Sequence, residues 1–289
     1  MGSVGNFKAV MRQLEEFLYP QSLAEAVQKK HEYGEAAAPI AGGTEIIPNL
    51  PPEIRCLIDV TRLGLDYIEE EGYLLRIGAT TTMHQVALSP AVAKLANGLL
   101  SSSCCQGWPT EVRNTATLGG NVVGGGPFAD SPPALLALDA EVVIVRLDGE
   151  ERIPIQEFFL DYRRTAVGQG ILKEIQIPRP SPQARGIFLK FGRTQVDQAL
   201  VNLAVTVEME NGVCGKVRIA LGAIGRTPQR LMEAERALFE KPLQADVIED
   251  VISIVTELVD PVLDLRASAD YRRELAGVLT RRALLQIAS

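Results

Sequence analysis

The chain has 289 residues, 46% of them hydrophobic, enough to bury the core of one large or two medium domains. Its formal charge of −7 argues against a nucleic-acid binder, because phosphate backbones demand clustered cations. Four cysteines (Cys56, Cys104, Cys105, Cys214) show no C-x-x-C spacing and only His31 and His84 are at hand to assist them, so zinc or iron–sulfur ligation within this chain is disfavoured. The vicinal Cys104 and Cys105 read as two buried thiols in a reducing compartment. No run of about eighteen uncharged apolar residues predicts a membrane span. Met1 to Phe7 has no basic-then-apolar signal pattern, which reads as a cytoplasmic protein.

In chain order, Leu23 to Tyr33 predicts a helix, with Ser22 as N-cap and Gly34 as terminator. A short strand at Pro39 to Ala41 leads into the turn Ala41-Gly-Gly-Thr-Glu-Ile46. Glu45 to Leu50 then reads as a brief helical segment stopped by Pro51 and Pro52. Cys56 to Val60 predicts a buried strand parallel to the first. Tyr67 to Glu70 and Tyr73 to Gly78 form an antiparallel pair turning at Glu71-Gly72. Thr82 caps a short helix, and Pro90 to Ser101 predicts a longer one, with Val92, Leu95, Ala96 and Leu99 on one side. Trp108 reads as a core residue.

Next comes Thr117 to Leu135, a glycine-dense loop running into an apolar helix. Five of its first ten residues are glycine, so the backbone can bend sharply and turn its amides toward a bulky anion. The Gly42-Gly43 turn has the same character, and two amide-rich turns can hold the two ends of a diphosphate. Either alone is equally explained as a tight turn. Gly124, Gly126 and Ala129 also fit the dinucleotide fingerprint G-x-G-x-x-G/A, although Pro127 removes a donor where one is wanted. Asp130 can cap the helix beginning at Ser131-Pro132 or accept a bond from a ribose hydroxyl.

Glu141 to Leu147 and Glu150 to Ile155 predict a hairpin about Asp148-Gly149, and Ile171 to Ile177 a further strand. Pro178 to Pro182 marks a boundary. Beyond it, strands at Ile187 to Gly192, Ala199 to Glu210 and Val213 to Ala223, the last two joined by Asn211-Gly212, precede helices at Pro228 to Phe239, Ala245 to Leu258 and Ser268 to Ile287. The expected organisation is α+β, with residues 1–178 as one domain, split near 61–66, and 184–289 as a second.

The stretches Ala41-Gly-Gly-Thr-Glu45, Thr117-Leu-Gly-Gly-Asn121, Ala129-Asp-Ser-Pro-Pro133 and Arg266-Ala-Ser-Ala-Asp-Tyr-Arg-Arg273 together resemble the FAD-binding medium subunit of molybdenum hydroxylases. This is the flavoprotein component of carbon monoxide dehydrogenase and xanthine dehydrogenase. The resemblance covers nearly the whole chain. It implies a two-part FAD-binding domain of the vanillyl-alcohol-oxidase type, a small parallel sheet plus an antiparallel sheet with helices. A C-terminal domain of a three-stranded antiparallel sheet and a three-helix bundle follows.

The resemblance also implies the site. Ala41, Gly42, Gly43, Thr44, Glu45 and Ile46 would form the first flavin loop and Thr117, Leu118, Gly119, Gly120 and Asn121 the second, with the pyrophosphate on the amides of Gly42 to Glu45 and Thr117 to Asn121. Asp130 would meet the ribose, Leu172 (or Ile171) would give an apolar backbone contact, and Lys190 would reach the isoalloxazine edge; an exposed strand lysine is the plain alternative for Lys190. Molybdopterin and [2Fe-2S] clusters are expected on a large and a small partner subunit, in a dimer of heterotrimers, with electrons leaving to an external acceptor. The absence of a Ser-His-Asp or Cys-His pattern fits a cofactor holder. A stand-alone FAD-dependent reductase and a non-enzymatic nucleotide-binding assembly module are the other readings.

Overall fold

The computed structural model describes residues 13–261 and 264–289; the reading of Met1 to Phe7 falls outside them. β1 (Glu16–Leu18), α1 (Leu23–Tyr33), β2 (Ala37–Ile40) and β3 (Cys56–Asp59) make a three-stranded parallel sheet in the order β1-β3-β2. Ser22 caps α1 by accepting the Glu25 N–H at 3.1 Å, and Gly34 ends it at φ 57°. Ala26 and Val27 on α1 pack on Cys56 and Ile58 of β3. The edge strand β1 escapes a sequence reading because three residues show no period. Residues 44–49 are turns rather than the expected helical segment. A single Ile47 N–H to Gly43 carbonyl bond of 3.1 Å forms, and Pro48, lacking an N–H, stops its continuation.

A five-stranded antiparallel sheet follows in the order β4-β5-β10-β6-β7, from β4 (Ile68–Glu71), β5 (Leu74–Gly78), β6 (Glu141–Arg146), β7 (Gly149–Pro154) and β10 (Ile171–Pro178). Between β5 and β6 run α2 (Met83–Leu88), α3 (Pro90–Ala93), α4 (Leu99–Cys105), α5 (Thr110–Arg113), α6 (Leu118–Val123) and α7 (Ser131–Ala137). The helix expected over Pro90 to Ser101 is broken. Ala96 and Asn97 take φ 42° and 56°, and Gly186 packs on the kink so closely that a Cβ there would stand 2.4 Å from the Ala96 carbonyl oxygen. The apolar spacing continues across the kink and so hides it. Cys104 is buried, and burial pushes its thiol up to about 12; Cys105 is exposed, so the expected buried pair is only half so. Trp108 is half-buried rather than a core residue. After β7, α8 (Ile155–Phe158) leads to a small hairpin of β8 (Phe159–Asp161) and β9 (Arg164–Thr165).

The C-terminal sheet has four strands, β11 (Arg185–Phe191), β12 (Val201–Glu210), β13 (Val213–Gly222) and β14 (Gln229–Arg230), in sequential antiparallel order. The expected count was three. Gln229 and Arg230, expected to begin a helix, pair with Leu221 and Ala220 instead. The helices α9 (Met232–Leu238), α10 (Ala245–Leu258) and α11 (Ala269–Ala288) cover one face.

Alternation along β12 explains how both faces are covered, since successive side chains point to opposite sides. Val201, Leu203, Val205 and Val207 join the core beneath α9, α10 and α11. Ala204 belongs to the other core, with Ala134, Leu135 and Leu136 of α7. Small residues on that face let α7 approach, and Thr206 Oγ1 donates to the Ala137 carbonyl at 3.0 Å. Burying Leu135 and Leu136 there contributes about 1.5–3 kcal/mol each.

Candidate cofactor site

The first glycine turn leaves β2 and runs directly against the segment that introduces the second. Gly42 lies on Thr115: a Cβ would stand 1.8 Å from the Thr115 carbonyl oxygen. Gly43 is at φ 67°, a conformation glycine adopts without steric cost. Among the described residues, the N–H groups of Gly42, Gly43, Thr44 and Glu45 have no protein acceptor. Successive free amides on a turn make an anion-binding concavity.

The second stretch is not a loop. Thr117 is the N-cap of α6, its Oγ1 accepting the Gly120 N–H at 3.0 Å. The Leu118 N–H goes to the Thr81 carbonyl at 2.9 Å, that of Gly119 to Ala79 at 3.0 Å and that of Asn121 to Thr117 at 3.0 Å. The expectation that the amides from Leu118 to Asn121 are open to a diphosphate is therefore corrected: protein acceptors already satisfy them. Gly119 has a packing reason as well. A Cβ on it would stand 2.7 Å from Ala79 Cβ, so only glycine lets α6 seat on the end of β5.

The stretch nevertheless faces the first turn. Gly124 lies against Glu45, with its notional Cβ 3.4 Å from Glu45 Cγ. Arg163, at the tip of the β8–β9 hairpin, pairs with Glu45 at 2.7 Å and donates its backbone N–H to the Gly125 carbonyl at 3.1 Å. Sequence reading missed Arg163, since its position on a two-strand hairpin carries no pattern. The dinucleotide fingerprint fails here because Gly124 and Gly126 follow a helix instead of joining a strand to one. Ser131 donates to Asn121 Oδ1 at 2.6 Å, which leaves the Asn121 amide NH2 group as a donor.

Asp130 precedes α7 but makes no capping bond. Its buried carboxylate takes Lys190 Nζ at 2.7 Å and Asn202 Nδ2 at 2.8 Å. Burial raises the Asp130 carboxyl above the ordinary range, opposed by the Lys190 charge. Lys190, expected either at a flavin edge or exposed, has a side chain only 4% exposed that is joined to Asp130. Gly107 closes over this pair, its notional Cβ 2.1 Å from Lys190 Nζ. Leu172 is buried on β10 opposite Ile144, immediately before a bulge. At that bulge the Lys173 carbonyl takes the Ala79 N–H at 2.9 Å, which ties β10 to the ledge carrying Gly119.

A glycine turn with open amides, held against Thr115 and Gly124 beside a capped helix start on an α+β fold, is suited to the diphosphate of a nucleotide cofactor. Comparison with known families agrees and is more specific. Residues 10–180 match the model of the FAD binding domain in molybdopterin dehydrogenase, and residues 187–287 that of the CO dehydrogenase flavoprotein C-terminal domain. The chain belongs to this family of FAD-binding medium subunits of molybdenum hydroxylases. The glyceraldehyde dehydrogenase medium chain of Sulfolobus acidocaldarius is 29% identical over 280 residues, covering 94% of this chain and 99% of its own. The carbon monoxide dehydrogenase medium chain of Afipia carboxidovorans is 30% identical over 270 residues, covering 92% and 93%. Among solved structures, a carbon monoxide dehydrogenase from Hydrogenophaga pseudoflava superposes with TM-score 0.90 at 30% identity, covering 95% of this chain and 97% of that one. The residues fit the FAD that this family carries, by the open amides of the first turn.

Proposed function

We propose that this chain is the flavoprotein subunit of a molybdenum-containing hydroxylase or dehydrogenase and passes electrons from [2Fe-2S] clusters to an external acceptor. The observation that carries this reading is the row of open amides from Gly42 to Glu45, held against Thr115 and Gly124. These amides would bind the diphosphate, with the Thr44 hydroxyl and the Asn121 NH2 group as further donors. Ala41, Ile46, Thr117, Leu118, Gly119 and Gly120 would shape the cleft by backbone and packing. Asp130 would meet the ribose end, and Leu172 would bring apolar backbone to the ring.

The Lys190 ammonium, joined to Asp130 at 2.7 Å, would stand at that same ribose end of the cofactor, already neutralised, so it would offer a directed N–H dipole and no net charge. Bound FAD supplies both one-electron and two-electron redox chemistry, which couples a single-electron donor to a two-electron acceptor. The division near 178–184 would separate the cofactor domain from the C-terminal one. The family's naming supports partners carrying molybdopterin, and a large and a small subunit in a dimer of heterotrimers is the assembly proposed. Among the described residues no helix is long and apolar enough to cross a membrane, and a cytoplasmic location is proposed with it.

The test is to recover the tagged chain from its native cells and determine flavin, iron and molybdenum. The reading expects FAD on this chain and the two metals on two co-purifying polypeptides. A lone chain that reduces small acceptors from a nicotinamide donor would contradict it.

A further inference from the structure

The segment Pro127 to Asp130 is gripped at every residue by the C-terminal sheet and its flanking segments. The Ala223 N–H donates to the Pro127 carbonyl at 2.7 Å. Arg266 stacks over the Phe128 ring at 3.8 Å from its centroid, and Arg272 lies at 5.4 Å. Asn202 Nδ2 donates to the Ala129 carbonyl at 3.0 Å and to Asp130 Oδ1 at 2.8 Å, and Lys190 Nζ donates to Asp130 Oδ2. Gly222 permits this approach, since a Cβ there would stand 2.2 Å from Asn202 Oδ1 and 3.0 Å from the Pro127 carbonyl oxygen.

The two guanidinium groups are themselves set by one carboxylate. Asp264 accepts from Arg266 Nη2 at 2.6 Å and from Arg272 Nη2 at 2.8 Å. Arg266 is further held by Gln198 Oε1 at 2.7 Å, and the wholly buried Arg272 donates to the Leu200 carbonyl. Two cations against one anion leave an excess positive charge on the face of Phe128, where the ring quadrupole attracts it, most strongly when water is excluded. Packing alone would ask only for an apolar side chain at 128. The segment then continues through Ser131, which holds Asn121 at the start of α6.

We propose that Phe128, held by Arg266 and Arg272, is a positioning residue through which the C-terminal part sets Asp130 and Asn121, and hence the affinity for FAD. This rests on the functional reading above and deepens it: the stretch from Arg266 to Arg273 serves the cofactor site from outside it. Phe128 acts through Asp130 and Asn121 and is not itself a ligand.

The experiment is FAD titration of the flavin-stripped, fully assembled complex, with thermal stability and subunit composition recorded alongside. Phe128→Leu keeps apolar volume and removes the ring face; it should raise the Kd for FAD roughly 3- to 30-fold, while Phe128→Tyr stays within about twofold of wild type. Arg266→Gln should match Phe128→Leu, and the double variant should be no worse than either single one, because both remove the same contact. Equal FAD binding by wild type and Phe128→Leu would overturn the anchor, as would losses that multiply in the double variant. If Phe128→Leu does not assemble, Arg266→Gln beside wild type carries the same decision. A wild-type complex that takes up no FAD would overturn the functional reading, and this inference with it.

Discussion

Gly42 and Thr115 are in backbone contact: a methyl group on Gly42 would overlap the Thr115 carbonyl oxygen at 1.8 Å. This contact presses the open-amide turn onto the segment leading to α6, so the geometry of one depends on the other. Gly42→Ala should force the two apart, costing about 1–3 kcal/mol of stability and lowering the flavin content of the purified assembly. Gly72, at φ 57° with open space around it, is the control. Gly72→Ala should cost about 1–2 kcal/mol from backbone strain and leave flavin content unchanged, read by thermal melting and flavin absorbance.

Lys190 and Asp130 form a buried pair whose members compensate each other. Lys190→Met strands a buried carboxylate, and Asp130→Asn strands a buried ammonium; each should destabilise by about 3–5 kcal/mol. The double variant should lose clearly less than the sum, because no uncompensated charge remains. Denaturant unfolding of the three variants checks this, with additivity as the contrary result.

Asp264 gives the fold an acid-sensitive point. Against the upward push of burial, hydrogen bonds from the Arg266 side chain and backbone and the charge of Arg272 hold its carboxyl down at about 2, below its unfolded value of 3.8. A depressed carboxyl contributes stability that is fully present above the unfolded value and is lost as pH falls through the folded one. Its side chain is 25% exposed, so the contribution is at most ~2 kcal/mol. Asp264→Asn should therefore be less stable than wild type at pH 6, with the gap closing between pH 4 and 2. A gap independent of pH over that window would show that the carboxylate charge is not what matters.

The hairpins about Glu71-Gly72, Asp148-Gly149 and Asn211-Gly212, the first helix and the C-terminal helices α10 and α11 were legible because local signals decide them: Ser22 as a cap, Gly34 as a terminator, glycine at the hairpin turns. The start of α6 was not. A Gly-Gly pair is a poor helix former, so the sequence reads as loop, and the helix begins there through the Thr117 cap together with the packing of Gly119 on Ala79. The same applies to the kink at Ala96 and Asn97, which packs against Gly186 about ninety positions later. Of the site, the two stretches could be read from residue type, whereas the occupied amides of Leu118 and Gly119 could not, since their acceptors Thr81 and Ala79 lie far back in the chain. Phe128 and Asn202 carry no motif at all. Their importance lies in tertiary contacts with partners up to 144 residues away (128 to 272).

The central claim is that the turn from Gly42 to Glu45 holds a dinucleotide by its amides. The most direct measurement is an experimental structure of the assembled complex loaded with FAD. The diphosphate oxygens should lie about 3 Å from the N–H groups of Gly42 to Glu45, with the ribose end toward Asp130. Diphosphate density elsewhere on the chain, or a saturated complex whose copies of this chain carry no flavin, would contradict the account.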